Sequence, residues 1–201
     1  MTHARVAAAY DVLANRWRDA KFSQTNGIAQ VTPGLAFLKE PGGACLNVGC
    51  GCNTRFNSLL REKGLSLEGL DISRRMVEAA RTADPTTTIH HADICDWPIP
   101  SKYAFILAWD SIWHVSLKAQ RPLLLKLMAA LKPGGVFLFT AGGLDEPAEH
   151  HDALMGPELY YASLGIPVLL KLLEEGQCMC RHLEFDQFPE KHLVVIAQRS
   201  T

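Results

Sequence analysis

Short apolar segments alternate with helix-like segments from residue 44 to residue 140, and few folds accommodate such an alternation. Each of five apolar segments has the length of a buried strand. They are too apolar for a sheet with one solvated face, which indicates a parallel sheet covered by helices on both faces. The five predicted strands are Ala44 to Val48, Leu67 to Asp71, Thr88 to Ala92, Phe105 to Trp109 and Val136 to Thr140.

Amphipathic periodicity predicts helices between and around these strands. An N-terminal helix over residues 4 to 22 would carry Val6, Tyr10, Leu13 and Trp17 on one face, either as core or as a lid. After residue 140 the sequence predicts another helix and then two strands joined by a short connection, which favours an antiparallel hairpin. The other predicted helices and the last strands are Arg55 to Lys63, Ser73 to Arg81, Gln120 to Leu131, Pro167 to Glu175, Arg181 to Phe188 and His192 to Gln198.

Seven strands in this order predict an α/β fold with a doubly wound, mostly parallel sheet and one antiparallel strand near the C-terminus. A chain of 201 residues that is 48% hydrophobic is long enough for one sizeable core, so a single domain is expected. We divide it into an N-terminal helical lid (1–40), a ligand-binding core (41–140), a small cap insertion (141–176) and a C-terminal hairpin (177–201).

Composition narrows the classes of partner. The formal net charge is −1, which gives no reason to expect a nucleic-acid or membrane partner. No run has the length and apolarity of a signal peptide or a membrane span, so a cytoplasmic protein is expected. Its six cysteines contain no Cys-x-x-Cys pair and are interpreted as reduced, buried thiols. No metal site is predicted.

A glycine-containing loop follows the first strand and leads into the first helix of the alternation. Gly49 and Gly51 would let the backbone turn tightly against a ligand, although a plain strand-to-helix turn explains them as well. Asp71 ends the second strand at the spacing of a ribose-binding carboxylate, or alternatively caps the next helix. Thr54 stands where a dinucleotide site has its third glycine, which favours a nucleoside without phosphates. Asp93 follows the third strand and can accept a hydrogen bond from an adenine amino group.

The order of the segments LNVGCG, LEGLDIS, HHADI, FILAWDSIWHV and LKPGGVFLFT resembles the class I S-adenosylmethionine-dependent methyltransferases, in particular their small-molecule branch, which includes methyltransferases of ubiquinone and menaquinone biosynthesis. The resemblance implies a Rossmann-like sheet and S-adenosylmethionine as the cofactor. An acid is usual where Asn47 stands, and a glycine is common where Asn53 stands. The implied cofactor residues are Asn47, Gly49 and Gly51 at the methionine moiety, Asp71 and Ile72 at the ribose and adenine, Asp93 and Ile94 at the adenine edge, and Trp109 near the sulfonium.

Methyl transfer to a small-molecule acceptor is therefore the expected function, and a monomer or homodimer is expected. His114 is the candidate base for an acidic acceptor, with Asp110 as its orienter. Trp113, Tyr160 and Tyr161 are the candidate substrate residues, although one of the two tyrosines is expected to pack against the sheet. Two alternatives stay open, which are a non-catalytic module that binds S-adenosylmethionine and a nucleotide-binding oxidoreductase.

Overall fold

All seven predicted strands are present in the computed structural model, which describes residues 3–18 and 23–201. They form one sheet, and two further short strands form a separate hairpin. The strands of the sheet and the hairpin are β1 (Gly43–Val48), β2 (Leu65–Asp71), β3 (Thr88–His91), β4 (Tyr103–Ala108), β5 (Leu131–Gly142), β6 (Ala148–Asp152), β7 (Leu159–Ser163), β8 (Cys178–Phe185) and β9 (His192–Arg199).

The sheet has the strand order β3-β2-β1-β4-β5-β9-β8. The pairs from β3 to β5 are parallel, whereas β9 runs antiparallel to both β5 and β8. The predicted doubly wound sheet with one antiparallel strand is thus confirmed. Because strand order reverses between β1 and β4, a crevice opens at the carboxyl ends of these two strands.

Helices cover both faces of the sheet. Leu107 of β4 belongs to a hydrophobic cluster with Val31 and Leu35 on one face of the sheet. Ile106 belongs to a second hydrophobic cluster on the other face, with Leu123 and Leu127. Successive strand residues point to opposite faces, so one apolar strand supports two cores. The helices are α1 (His3–Arg18), α2 (Ile28–Ala36), α3 (Asn57–Glu62), α4 (Arg74–Ala83), α5 (Leu117–Ala129) and α6 (Ile166–Glu175).

Two helical features depart from the sequence predictions. The first predicted helix ends at Arg18, and residues 19–22 of that prediction lie outside the described part of the chain. Helix α2 was not predicted, because it contains Pro33 and Gly34, which are poor residues for a helix interior. Gly34 is needed there, since a Cβ atom at this position would lie 2.8 Å from Cδ1 of Leu138.

Helix α1 lies across the carboxyl edge of the sheet and is tied to several elements. The Asp11 carboxylate accepts hydrogen bonds from the Ser73 hydroxyl at 2.6 Å and from the Arg75 amide at 3.0 Å, at the start of α4. The Tyr10 hydroxyl lies 2.7 Å from Nε2 of His114, which follows β4. The β6–β7 hairpin lies within the predicted cap segment. Among the described residues, no helix is long and apolar enough to cross a membrane.

Candidate active site

One cavity of about 370 Å³ opens at the carboxyl ends of β1, β2 and β4, beneath α1. Nearly all of the residues that the sequence analysis predicts for a ligand site line this cavity. We call the part lined by Gly51, Asp71, Ile72, Asp93 and Ile94 the β2 end of the cavity. The β4 end is lined by Trp109, Asp110, Trp113, His114, Tyr161 and His192, and Asn47 and Gly49 also line the cavity.

The two glycines of the loop after β1 have different roles. Gly49 has φ +65°, and a Cβ atom there would lie 2.3 Å from Cβ of Ser111, so the protein itself requires glycine at this position. Gly51 has φ +57°, but a Cβ atom there would meet nothing within 4 Å. A Cβ atom at Gly51 would thus point into open space in a loop that lines the cavity, which fits a position where a ligand approaches the backbone closely.

Asp71 is buried at the end of β2 with both carboxylate oxygens anchored. Oδ2 accepts a hydrogen bond from the Gly51 amide at 2.8 Å, and Oδ1 accepts one from the Ser73 amide at 2.8 Å. Burial raises the pKa of Asp71, and these two amides partly offset the rise by stabilising the carboxylate. The cap of α4 is the Ser73 hydroxyl, which accepts from the Met76 amide, so the carboxylate remains available to the cavity.

The Asp93 carboxylate is shared with the N-terminal helix. Oδ1 accepts a hydrogen bond from the Cys95 amide at 2.9 Å, and Oδ2 pairs with Nδ1 of His3. His3, Asp93 and Cys95 each bring one potential metal ligand atom to within 4.8 Å of the others. Burial, with the neighbouring Asp93 and Asp96 charges, raises the pKa of Cys95 to about 12.

Trp109 is almost fully buried at the inner wall of the cavity. Its ring packs against Phe56 at 6.1 Å and against His192 at 5.6 Å between centroids. Its indole Nε1–H is buried and has no hydrogen-bond partner among the described residues. A buried donor without a partner is uncommon, and at the wall of a cavity it fits a group that a ligand would satisfy.

His114 is a neutral imidazole with both ring nitrogens in hydrogen bonds. Its Nδ1 lies 2.8 Å from the Tyr160 carbonyl, which can only accept, so the proton is on Nδ1. Its Nε2 then accepts from the Tyr10 hydroxyl and, at 3.1 Å, from the indole of Trp113. Burial lowers the pKa of His114 to about 4. The group that orients His114 is therefore the Tyr160 carbonyl, in place of the predicted Asp110.

Asp110 pairs instead with His192, a residue that the sequence analysis missed. Nε2 of His192 lies 2.9 Å from Oδ1 of Asp110, and Nδ1 lies 2.5 Å from Oδ1 of Asp186. Burial opposes the charged form of this histidine, but the two carboxylates outweigh burial and raise its pKa. His192 is the first residue of an antiparallel strand, which begins at the edge where the parallel strands end. Its place as the first residue of the predicted last strand is the signal that could have found it.

The two adjacent tyrosines of β7 point to opposite sides, as successive strand residues do. Tyr161 lines the cavity, with its ring centroid 4.8 Å from that of His114. Tyr160 does not line the cavity, so its predicted substrate contact is corrected. Its hydroxyl donates to Glu149 at 2.7 Å and accepts from the Leu117 amide at 3.0 Å, which fixes β7 beside the start of α5.

Arg55 brings a cation to the cavity, and the sequence analysis did not single it out. Its Nε donates to the Asn26 carbonyl at 2.8 Å, and its guanidinium carbon lies 4.3 Å from the centroid of the Phe56 ring. Burial lowers the pKa of Arg55 to about 10, and the Asp110 charge partly offsets this. The side chain therefore stays charged at neutral pH.

Comparison with known proteins finds methyltransferases. Residues 45–135 match the family described as Methyltransferase domain. Malonyl-[acyl-carrier protein] O-methyltransferase of Serratia marcescens is 30% identical over 149 residues, which are 71% of this chain and 53% of that protein. An N,N-dimethyltransferase of Streptomyces fradiae that acts on dTDP-3-amino-3,6-dideoxy-alpha-D-glucopyranose is 30% identical over 93 residues, 45% of this chain and 36% of that protein. The chain spans about half or less of the length of these curated relatives.

Among solved structures, the 1,6-didemethyltoxoflavin-N1-methyltransferase of Burkholderia thailandensis, with bound 1,6-didemethyltoxoflavin and S-adenosylhomocysteine, superposes with a TM-score of 0.71. It is 17% identical, and the match covers 98% of this chain and 88% of that one. At this identity the likeness shows that the two proteins share a fold.

Proposed function

We propose that this chain, which belongs through residues 45–135 to the class I S-adenosylmethionine-dependent methyltransferases, transfers the methyl group of S-adenosylmethionine to a small-molecule acceptor. The observation that carries the proposal is the continuity of one cavity from the anchored Asp71 carboxylate to the aromatic β4 end. In this arrangement a nucleoside would lie at one end and a second molecule at the other. The curated relatives act on chemically different acceptors, so their names do not choose one for this chain.

The β2 end fits the adenosyl part of the cofactor. Each oxygen of Asp71 accepts one backbone amide and keeps a further lone pair, so the carboxylate can accept hydrogen bonds from two ribose hydroxyls. Ile72 and the buried Ile94 provide apolar contacts for the adenine ring. Asp93 is the acceptor for the adenine amino group, and its Oδ2 would exchange the contact with His3 for this one.

The methionine end of the cofactor would lie along the loop after β1. Gly51 leaves space for its chain, and Asn47 can hydrogen-bond its amino or carboxylate group without the ion pair that an acid would give. Arg55 lines the same cavity and carries the positive charge that a carboxylate prefers. The otherwise unpartnered Nε1–H of Trp109 is the remaining donor in this region.

When bound, S-adenosylmethionine supplies a methyl group on a sulfonium, which is already activated for displacement. The protein then has to hold the acceptor in line with the methyl group and to exclude water. Trp113 and Tyr161 form an aromatic wall at the β4 end, with their ring centroids 6.3 Å apart. Helix α1 lies over the cavity and is held by the Tyr10–His114 hydrogen bond, which suits it as the lid that closes the reaction off from water.

Calorimetric titration tests the cofactor assignment. We expect S-adenosylhomocysteine to bind one per chain and NADH not to bind. Asp71→Asn keeps the size of the side chain but removes its charge and one acceptor oxygen, so S-adenosylhomocysteine binding should weaken by about 1 to 3 kcal/mol. The matched control is Asp96→Asn, which changes an exposed carboxylate outside the cavity. Binding of NADH, or unchanged affinity in Asp71→Asn, would contradict the assignment.

A non-catalytic binding module is the competing outcome. It would bind S-adenosylhomocysteine with the same dependence on Asp71 but form none of it from S-adenosylmethionine with any acceptor mixture. Chromatographic measurement of S-adenosylhomocysteine formed per chain separates the two functions.

A further inference from the structure

The β4 end of the cavity contains two histidines, but neither of them has a ring nitrogen left for a substrate. In His114, Nδ1 donates to a carbonyl and Nε2 accepts from Tyr10 and Trp113. In His192, both nitrogens contact carboxylates. Neither imidazole can take a proton from an acceptor in this arrangement. A phenol or alcohol, which needs a base before it attacks, therefore finds no imidazole base at this end.

Asp110 offers a hydrogen-bond acceptor at the β4 end. Its Oδ1 is used by His192 and, at 3.4 Å, by the Thr140 hydroxyl, whereas Oδ2 has no hydrogen-bond partner among the described residues. The side chain is 28% exposed, and it lines the cavity. A carboxylate with one oxygen fixed from behind and the other facing a cavity is built to accept a hydrogen bond.

The side chains behind Asp110 are largely buried. The side chains of His192 and Asp186 are 9% and 5% exposed, so the three groups form a chain that extends from the cavity into the protein. Asp110 also has φ +51°, a conformation that aspartate and asparagine tolerate better than most residues. Both features fix the direction of the carboxylate, which is what recognition of one particular atom requires.

A carboxylate of this kind suits one class of nucleophile. It would repel the carboxylate of an acid acceptor. An amine needs no base at the moment of attack, since its neutral form carries a free electron pair. During methyl transfer its nitrogen gains positive charge, which an adjacent carboxylate stabilises.

We infer that the acceptor is an amine whose N–H donates to Oδ2 of Asp110, and that His192 and Asp186 are positioning residues for this carboxylate. The inference rests on the proposed methyl transfer. An acceptor that is protonated in solution first loses one N–H proton to solvent. The nitrogen electron pair then forms the new bond to the methyl carbon as the carbon–sulfur bond breaks, and the electrons of that bond stay on sulfur. The product is a methylammonium ion, which then loses its N–H proton to solvent. Arg55 also brings a positive charge to the cavity, and we assign this charge to binding the carboxylate of the cofactor.

The test uses the whole chain, labelled S-adenosylmethionine and a small-molecule extract of cells that make the protein, separated by ion exchange into cationic, neutral and anionic fractions. We expect the label in cationic compounds, in a form that alkali does not release. A base-labile methyl ester from the anionic fraction, or a methylated neutral alcohol or phenol, would overturn the inference while leaving methyl transfer intact. If no fraction is labelled although S-adenosylhomocysteine binds, the proposed function fails as well.

The substitution Asp110→Asn tests the carboxylate itself. Asparagine tolerates the same backbone conformation and keeps an oxygen for His192. It places an amide NH2 group, which donates hydrogen bonds, where Oδ2 stood. We expect transfer to the labelled amine to fall by about 100-fold, with unchanged S-adenosylhomocysteine affinity. Glu190→Gln, which neutralises an exposed carboxylate on the connection before β9, should match the wild type. Transfer within about threefold of wild type in Asp110→Asn would overturn the role of Asp110.

His192→Gln separates positioning from chemistry. Losing the fixed direction of Asp110 should raise KM for the amine at least as much as it lowers kcat, whereas Asp110→Asn should act mainly on kcat. The same KM and kcat as wild type in His192→Gln would contradict a positioning role.

Discussion

The protonation of His114 makes a specific prediction about stability in acid. Burial lowers the pKa of this histidine from the ordinary 6.5 to about 4, so the unfolded chain binds the proton more readily than the folded one. Stability from this residue is therefore complete above the unfolded pKa and is lost as the pH falls towards the folded pKa. Between about pH 7.5 and about pH 4.5 the loss amounts to about 2 to 3 kcal/mol.

The matched variant is His114→Asn. The asparagine amide nitrogen can replace Nδ1 as the donor to the Tyr160 carbonyl, but the side chain does not titrate. Urea unfolding at the two pH values should give a smaller decrease in unfolding free energy for the variant than for the wild type, by about 2 to 3 kcal/mol. Equal decreases in the two proteins would show that His114 titrates normally, and the neutral imidazole at the β4 end would then be refuted.

Three further predictions follow from the same contacts. Gly51→Ala should weaken S-adenosylhomocysteine binding at least tenfold in a folded protein, as measured by calorimetry. Gly49→Ala would clash with Ser111 and should lower the melting temperature in thermal unfolding. The reverse pattern would be evidence against the roles assigned to the two glycines. Tyr10→Phe should lower the unfolding free energy by about 1 kcal/mol and speed S-adenosylhomocysteine dissociation in stopped flow, because α1 loses its bond to His114. The unfolding free energy of the wild type should exceed that of His192→Gln most below about pH 6.5, and this difference should disappear as the pH rises through the raised pKa of His192. A difference that grows with pH would contradict the pairing of His192 with two carboxylates.

The fold was predictable from the sequence because its signals are local. Strand β4, for example, is recognised by its continuous run of apolar residues. Asp71 is recognised by its spacing from the glycine loop. The exception is α2, where Pro33 and Gly34 argue against a helix, although packing against Leu138 requires the glycine. Tertiary contact outweighs local propensity there, and no reading of neighbouring residues would reveal it.

The β4 end was predictable as a location but not as a set of contacts. Asp110 and His114 follow a parallel strand, and this position was enough to predict that they lie at the ligand site. The contact with His192 was not predictable in this way, because His192 lies 82 residues from Asp110 along the chain. Their pairing depends on the register of β9 against β5, which sequence periodicity does not determine. Likewise, the choice between Tyr160 and Tyr161 needed the exact phase of a strand in the cap segment that was not predicted.

The position of S-adenosylhomocysteine in the cavity tests the proposed methyl transfer most directly, so a crystal structure with this molecule bound is the decisive measurement. We expect its ribose hydroxyls within hydrogen-bonding distance of Asp71 and its sulfur facing the space between Asp110, Trp113 and Tyr161. A ligand bound outside the cavity, or bound inside it with the sulfur turned away from the β4 end, would contradict the account.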